Sequence, residues 1–445
     1  MLTIGKLGSS RSQLAYYEQQ VAAGIEDYYA GRGEARGVWL GSGAGSLRLH
    51  GDVERDGFMA LMRGRHPVDG SVLRRMGSCS TVAALDLTFS APKSVSVLFA
   101  IADDRVAAAL ADAHNHAVGA ALGYLEREAC WTRRGHAGAQ RLHGEGFIAA
   151  GYRHRLSRAG DPQLHTHVVV ANMTRAEGKY TALDAHPLYE HKSAAGAVYR
   201  AVLRAEVRTA LPWASWRHTD RGLFEIDGVL DSVLRHLSRR RVEIEERASE
   251  LTGVGAHGLS RERMQGIALA TRRAKTYGVD GPDWRESARA RAAEHGFGAS
   301  ELARLTTTRP VAAGEVDLGS VFARLSGPEG LTGMHNTFAR RHALAELAGT
   351  FTQGISVAAL DRVTSSYLSE SDVHELNPAG AEARYTTAGL LACERSIVES
   401  ADRRGADGVG QLAPEVVNQA LHPHDVTLNQ DQDAAVRCLT SSGRG

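Results

Sequence analysis

The stretch Gly146-Phe147-Ile148-Ala149-Ala150-Gly151-Tyr152-Arg153-His154, followed after a polar turn by Leu164-His165-Thr166-His167-Val168-Val169-Val170-Ala171, decides the architecture. Two mostly apolar runs flank Ser157 to Pro162, where Gly160, Asp161 and Pro162 are turn formers, so the pair reads as an antiparallel hairpin with a longer loop. Side chains alternate along a strand, so His165 and His167 project from one face and can converge on one ion. His154 ends the preceding strand, where register can bring it opposite that pair. Three neutral imidazoles leave coordination positions open, which suits catalysis better than a closed structural site. The same residues, three among 20 histidines, also fit ordinary hydrogen-bonded strand histidines.

Working outward, Ala83 to Phe89 is a mostly apolar run stopped by Ser90-Ala91-Pro92, hence a buried strand with Asp86 in its middle. From Asp103 to Glu128 apolar residues recur at helical spacing, through Val106, Leu110, Ala113, Val118, Leu122 and Leu125, so a long amphipathic helix should cover one face of the sheet. A strand at Leu2 to Leu7, a strand at Lys179 to Leu183 and a helix at Ala194 to Leu211 complete the reading. Ser9 or Ser10 is positioned to cap a helix through Leu14, Tyr17 and Val21. The expected class is α+β, a central antiparallel sheet flanked by helices. Past Thr308 the character changes: Arg309-Pro310 and Val311 to Val316 read as a linker, and a mostly helical segment follows, including Val357 to Leu368 and Thr386 to Arg403.

With 445 residues the chain is long enough for two or three domains. Its 52 basic and 51 acidic residues give a net charge of +1, which neither supports nor excludes a nucleic-acid partner, because only a local basic stripe matters. Cys79, Cys130, Cys393 and Cys438 stand far apart, in no CxxC pattern. They argue against a disulfide framework or thiolate zinc site and fit a reducing cytoplasm. No signal sequence and no stretch of eighteen apolar residues occurs, so no membrane association is expected.

Asp86 is costly in an apolar strand unless paired. It can orient a metal-bound histidine through the imidazole's second nitrogen, or accept the proton of a nucleophile. Two tyrosine pairs, Tyr16-Tyr17 and Tyr28-Tyr29, lie twelve residues apart near the N-terminus. A phenol with a pKa near 10 attacks phosphate only with help from a base or a metal-polarised electrophile. Two such pairs would permit two successive transfers. Taken alone, tyrosines on helices are more often packing residues than nucleophiles.

In combination, Tyr16-Tyr17 with Tyr28-Tyr29, then Asp86-Leu87-Thr88-Phe89-Ser90-Ala91-Pro92-Lys93-Ser94-Val95-Ser96, then His154 and Asp161-Pro162-Gln163-Leu164-His165-Thr166-His167, resemble the TrwC/TraI-type conjugative relaxases, the MobF class of HUH endonucleases. The resemblance covers roughly Met1 to Leu211, with the motifs in order and spacing. It implies a palm-like relaxase fold, Tyr16 as first nucleophile and Tyr28 as second, with Tyr17 and Tyr29 as auxiliary candidates. It further implies Asp86 as the aspartate and His154, His165 and His167 as ligands of a divalent ion, Mg²⁺ or Mn²⁺ foremost. The implied activity is nicking and rejoining of single-stranded DNA at an origin of transfer through a 5′-phosphotyrosine, with other relaxosome and coupling proteins as further partners. Lys93 and Lys192 are candidate phosphate contacts by charge and position, although surface lysines are usually only solvated.

The same family continues into an ATP-driven helicase. Tyr385 to Arg395 resembles its entry segment and Leu428 to Ala435 the stretch before its phosphate loop, yet no GxxxxGK[ST] occurs, so neither ATP binding nor unwinding is expected of this chain. The expected organisation is a relaxase domain over 1–307, a linker and helical segment over 308–380, and the start of a truncated helicase over 381–445. A rolling-circle replication initiator would share the chemistry, a cupin-like metalloenzyme acting on a small molecule would share only the histidines, and a non-catalytic DNA-binding remnant would have lost one of the two residue sets.

Overall fold

The computed structural model describes residues 1–8, 37–75, 82–157, 159–219, 223–252, 284–308, 314–376, 382–404, 412–421 and 428–442, with scattered positions between 259 and 271. The four tyrosines and the helix expected around Leu14 lie outside the described residues. Two compact units divide the chain: Met1–Val316 with Leu344–Val363, and Asp317–Ala343 with Thr364–Gly445.

The first unit is built on a five-stranded antiparallel sheet. Its strands are β1 (Leu2–Gly8), β2 (Val38–Leu40), β3 (Val82–Ser90), β6 (Ala149–Leu156) and β7 (Pro162–Ala171), in the order β1-β3-β7-β6-β2. Short two-stranded ribbons pair β4 (Trp131–Arg134) with β5 (Gln140–His143), β8 (Thr174–Ala176) with β9 (Lys179–Thr181), and β10 (Trp216–His218) with β11 (Phe224–Ile226). The α+β expectation holds. An open sheet covered by long helices is not the closed barrel that a cupin-like enzyme requires.

Helices of this unit include α1 (Arg55–Met62), α2 (Lys93–Ile101), α3 (Asp104–Ala129), α4 (Lys192–Ala210), α5 (Asp231–His236), α6 (Arg239–Thr252) and α7 (Trp284–Glu294). Helix α3 starts where the apolar period predicts, because the Asp103 carboxylate accepts from Val106 N at 2.8 Å, a cap contributing about 1 kcal/mol. It is amphipathic and buries Leu110, Ala113, Ala117, Ala121 and Leu125.

The β7 residues alternate between the two faces of the sheet. Leu164, Thr166 and Val168 are buried on one face, which also carries Leu85, Leu87 and Phe89 of β3. On the opposite face, Gln163, His165 and His167 are only half-buried, whereas Val169 and Ala171 farther along are fully covered. That cover is an apolar cluster in which Phe58, Met59, Leu61 and Met62 of α1 join Ala84, Ala150, Tyr152, Val169 and Ala171. This second face is therefore dry at one end and open at the other.

The second unit carries a three-stranded antiparallel sheet of Phe338–Ala339, Arg384–Thr387 and Val373–Glu375. Tyr367 packs there on Phe322 and Phe338. The helices Ala388–Arg404, Pro414–Leu421 and Gln430–Ser442 follow, so this part is mostly helical as expected. Arg384–Thr387 forms a strand where a helix starting at Thr386 was expected. No helix among the described residues is long and apolar enough to cross a membrane.

Candidate metal centre

Register brings the histidines together at the open end of the sheet. His154 of β6 pairs directly with His165 of β7, and Thr88 of β3 pairs with His167. The three imidazole centroids form a triangle with 5.2 Å on each side. One nitrogen from each ring lies within 4.8 Å of the others, close enough to hold one ion. All three are half-buried.

The neighbouring groups fix which nitrogen faces inward. His167 Nδ1 donates to the Asp86 carboxylate, at 2.9 Å from Oδ2 and 3.0 Å from Oδ1. Thr88 Oγ1 donates to Asp86 Oδ1 at 3.2 Å and lies 3.1 Å from His167 Nδ1. His165 Nδ1 donates to the Gln163 carbonyl at 2.8 Å. With both Nδ1 atoms acting as donors, the Nε2 lone pairs of His165 and His167 are left for a ligand. A carboxylate or carbonyl behind the imidazole also raises its basicity as a ligand. Of the two roles the sequence left open for Asp86, its geometry favours orienting His167.

The candidate lysines sit elsewhere. Lys93 turns inward: its Nζ donates to the Pro162 carbonyl at 2.7 Å, tying α2 to the hairpin. Burial pulls its ammonium down to about 8, against the opposing influence of Asp161. In this structure it is an internal tie rather than a phosphate-facing cation. Lys192 begins α4 beside His191, which bonds Tyr124 at 2.9 Å. Tyr124 is ten residues beyond His114 on α3, about 15 Å along the helix. His114 lies at the level of Thr166, so Lys192 is remote from the triad.

Several residues that support the centre carry no signal in the sequence. Asp161 appears there as a turn former and as the first residue of the motif that ends on His167, with no partner assigned, yet its carboxylate is 1% exposed and meets two guanidinium groups. It accepts from Arg239 N at 2.7 Å, Arg239 Nε at 2.9 Å and an Arg291 terminal nitrogen at 2.9 Å. This binds α6 and α7 to the tip of the hairpin that carries all three histidines. Glu225 caps α2 by accepting from Ser94 N at 2.7 Å and Lys93 N at 3.3 Å. These pairings join residues more than sixty positions apart, and only the folded chain reveals them.

Comparison with known proteins places this geometry. Residues 10–295 match the family described as TrwC relaxase. The chain belongs to that family. The multifunctional conjugation protein TraI of Escherichia coli (strain K12) is 34% identical over 240 residues, which cover 52% of this chain and 13% of TraI. A second Escherichia coli TraI is 35% identical over the same length. The chain thus matches only a small part of these curated relatives. A metal-bound structure of the conjugative relaxase TrwC in complex with oriT DNA superposes with a TM-score of 0.58 and 31% identity, covering 66% of this chain and 99% of that one. A TrwC complex with a 27-mer comprising the recognition hairpin and cleavage site gives 0.57 and 30%, with the same coverage. A copper-bound TrwC complex is equally similar, at 0.58 and 31%. This relaxase-family chain therefore shares the open antiparallel sheet of its relatives over about two thirds of its length.

Proposed function

We propose that this chain is a conjugative relaxase, nicking and rejoining one DNA strand at an origin of transfer through a 5′-phosphotyrosine. The observation that carries the reading is the triangle of His154, His165 and His167 with Asp86 on the rear nitrogen of His167, at the open end of the sheet. These three imidazoles would hold a divalent ion. When bound, such an ion supplies Lewis acidity at a nonbridging phosphate oxygen. Mg²⁺ prefers oxygen ligands and dehydrates reluctantly, so an all-imidazole set binds Mn²⁺ more readily than Mg²⁺ and later ions of the first transition row more tightly still.

In this reading Tyr16 provides the first nucleophilic oxygen. Its bond to phosphorus forms as the bond to the 3′ oxygen breaks; the phenol gives up its proton, and the departing 3′ oxygen takes one up to become the free hydroxyl. The tyrosyl ester retains the energy of the phosphodiester, so a later hydroxyl can reverse the step. Tyr28 provides the nucleophile for the second transfer, with Tyr17 and Tyr29 as neighbours able to stand in. Asp86 keeps His167 in one tautomer and orientation. The catalytic part would be the domain read over 1–307, and a cytoplasmic location accords with this role. The two stretches of helicase character past residue 381 would lie beyond the nicking machinery.

Labelled single-stranded oligonucleotides from the protein's own origin region, incubated with Mn²⁺, test the proposal. An SDS-resistant covalent adduct is expected, lost in Tyr16→Phe. If no adduct forms with any origin strand while Mn²⁺ binds normally, the transesterase reading is wrong.

A further inference from the structure

Between the two β7 histidines stands Thr166, whose side chain points to the opposite face of the sheet and is 5% exposed. Its Oγ1 lies 2.8 Å from Nε2 of His114 in α3, and His114 Nδ1 lies 2.8 Å from the Tyr199 hydroxyl of α4. The imidazole is completely buried and meets the Tyr199 ring edge-on, with centroids 5.7 Å apart. Phe89, the register partner of Thr166 on β3, packs on Tyr199 at 5.5 Å. Burial drives the His114 pKa down to about 3, with the Arg153 charge adding to the effect. A neutral imidazole with one donor and one acceptor can bridge two hydroxyls in either tautomer. A polar chain from two separate helices thus ends on the one residue that separates His165 from His167, among leucine, valine and phenylalanine of β3 and β7 and beside Arg153, its register partner on β6.

We propose that His114 is a positioning residue for the metal centre: through Thr166 it fixes the β7 backbone between His165 and His167, and so the spacing of their imidazoles. The inference rests on the triad being a metal site. The energetic case follows from what an apolar alternative would look like. A leucine at 114, a valine at 166 and a phenylalanine at 199 would fill the same space without a buried polar group, whereas each hydroxyl or imidazole here costs free energy unless satisfied. Apolar packing tolerates small shifts of the strand, while two 2.8 Å hydrogen bonds specify its position.

The experiment uses the full chain and Mn²⁺ as the probe, measuring its affinity by calorimetry and its EPR spectrum on the protein. Supporting partners behind ligating residues are worth roughly 10–100-fold in metal affinity, and for a partner one step further back we expect about tenfold weaker binding in His114→Phe. Its EPR spectrum should broaden, its adduct formation should slow, and its affinity for origin DNA should stay unchanged. His114→Gln, which retains a donor and an acceptor, should recover most of the affinity. Thr166→Val approaches the same link from the other end and tests it even if His114→Phe fails to fold. His114→Phe/Thr166→Val should be no worse than the more damaging single variant. Wild-type Mn²⁺ affinity and spectrum in a folded His114→Phe or Thr166→Val would overturn the positioning role. If the wild-type protein binds Mn²⁺ no better than His165→Ala, the metal-site reading fails, and this inference fails with it.

Discussion

Replacing Asp161 by asparagine isolates the tie between the hairpin tip and helices α6 and α7. The carboxylate is 1% exposed and accepts three hydrogen bonds, from Arg239 N, Arg239 Nε and Arg291. A hydrogen bond to a charged group contributes about 1.5–3 kcal/mol, and removing one partner of a buried ion pair costs about 3–5 kcal/mol. Asparagine keeps one acceptor oxygen, which can still serve Arg239 N, but turns an amide toward a guanidinium. Arg239 is 52% exposed and recovers part of its loss by hydration, whereas Arg291, at 18%, recovers less. The expected net loss is about 2–3 kcal/mol. At about 1.4 °C per kcal/mol for a unit of this size, the midpoint should fall by about 3–4 °C. Scanning calorimetry near neutral pH measures it, with Arg291→Met as a companion expected to lie closer to Asp161→Asn than Arg239→Met does. An Asp161→Asn protein melting within about 1 °C of wild type would refute the claim that this carboxylate anchors the two helices.

His165→Ala should abolish Mn²⁺ binding and adduct formation while changing affinity for origin DNA only a few-fold in a gel-shift assay, because DNA affinity rests mainly on backbone contacts; a parallel loss of DNA binding would count against it. His114 makes stability sensitive to acid: the unfolded chain takes up this proton near the ordinary value of 6.5, but the folded chain not until about 3. Stability is therefore lost as pH falls through that window, by about 2.5 kcal/mol between pH 7 and 4.5 for this one group, and denaturant titrations of His114→Phe should show a correspondingly shallower decline. Gly354 has φ +86°, and a Cβ there would stand 2.2 Å from Ala205 N on α4, so Gly354→Ala should lower stability by about 3 kcal/mol from backbone strain and overpacking together; a chemical melt within 0.5 kcal/mol of wild type would refute that contact.

The core of the fold is written locally. Leu164 to Ala171 states its period in eight residues, the helix Asp104–Ala129 announces itself by spacing and cap, and Val357–Leu368 falls where the apolar recurrence puts it. His165 and His167 share a face by strand geometry alone, and His154 joins them once the hairpin register is set. What could not be read is what long-range packing decides. Asp161 is a turn residue until Arg239 and Arg291 arrive from 78 and 130 positions away. Lys93 has the charge of a phosphate contact until the Pro162 carbonyl takes its ammonium. Leu344–Val363 has no mark of belonging to the first unit, yet Arg204, whose guanidinium stacks on Phe224, donates to the Ala348 and Phe351 carbonyls.

The position of the metal centre follows from where the apolar cover of one sheet face ends. Reading that face along β7, Gln163, His165 and His167 give way to Val169 and Ala171, and Phe58 meets Tyr152, the register partner of His167, edge-on at 5.8 Å. Asp86 pairs in register with Val169, already under the apolar cluster, and its carboxylate leans back along the strand to reach His167 and Thr88. Its charge thus stands at the boundary between dry core and open site, 16% exposed, where a partner is most needed and is found. Because side chains alternate, slipping β7 by one residue would move His165 and His167 to the face held by His114 and Tyr199 and turn Thr166 outward. The apolar run Val168-Val169-Val170-Ala171, buried on both faces, holds the register at the far end, while the hydrogen bond between Thr166 and His114 holds it at the site itself.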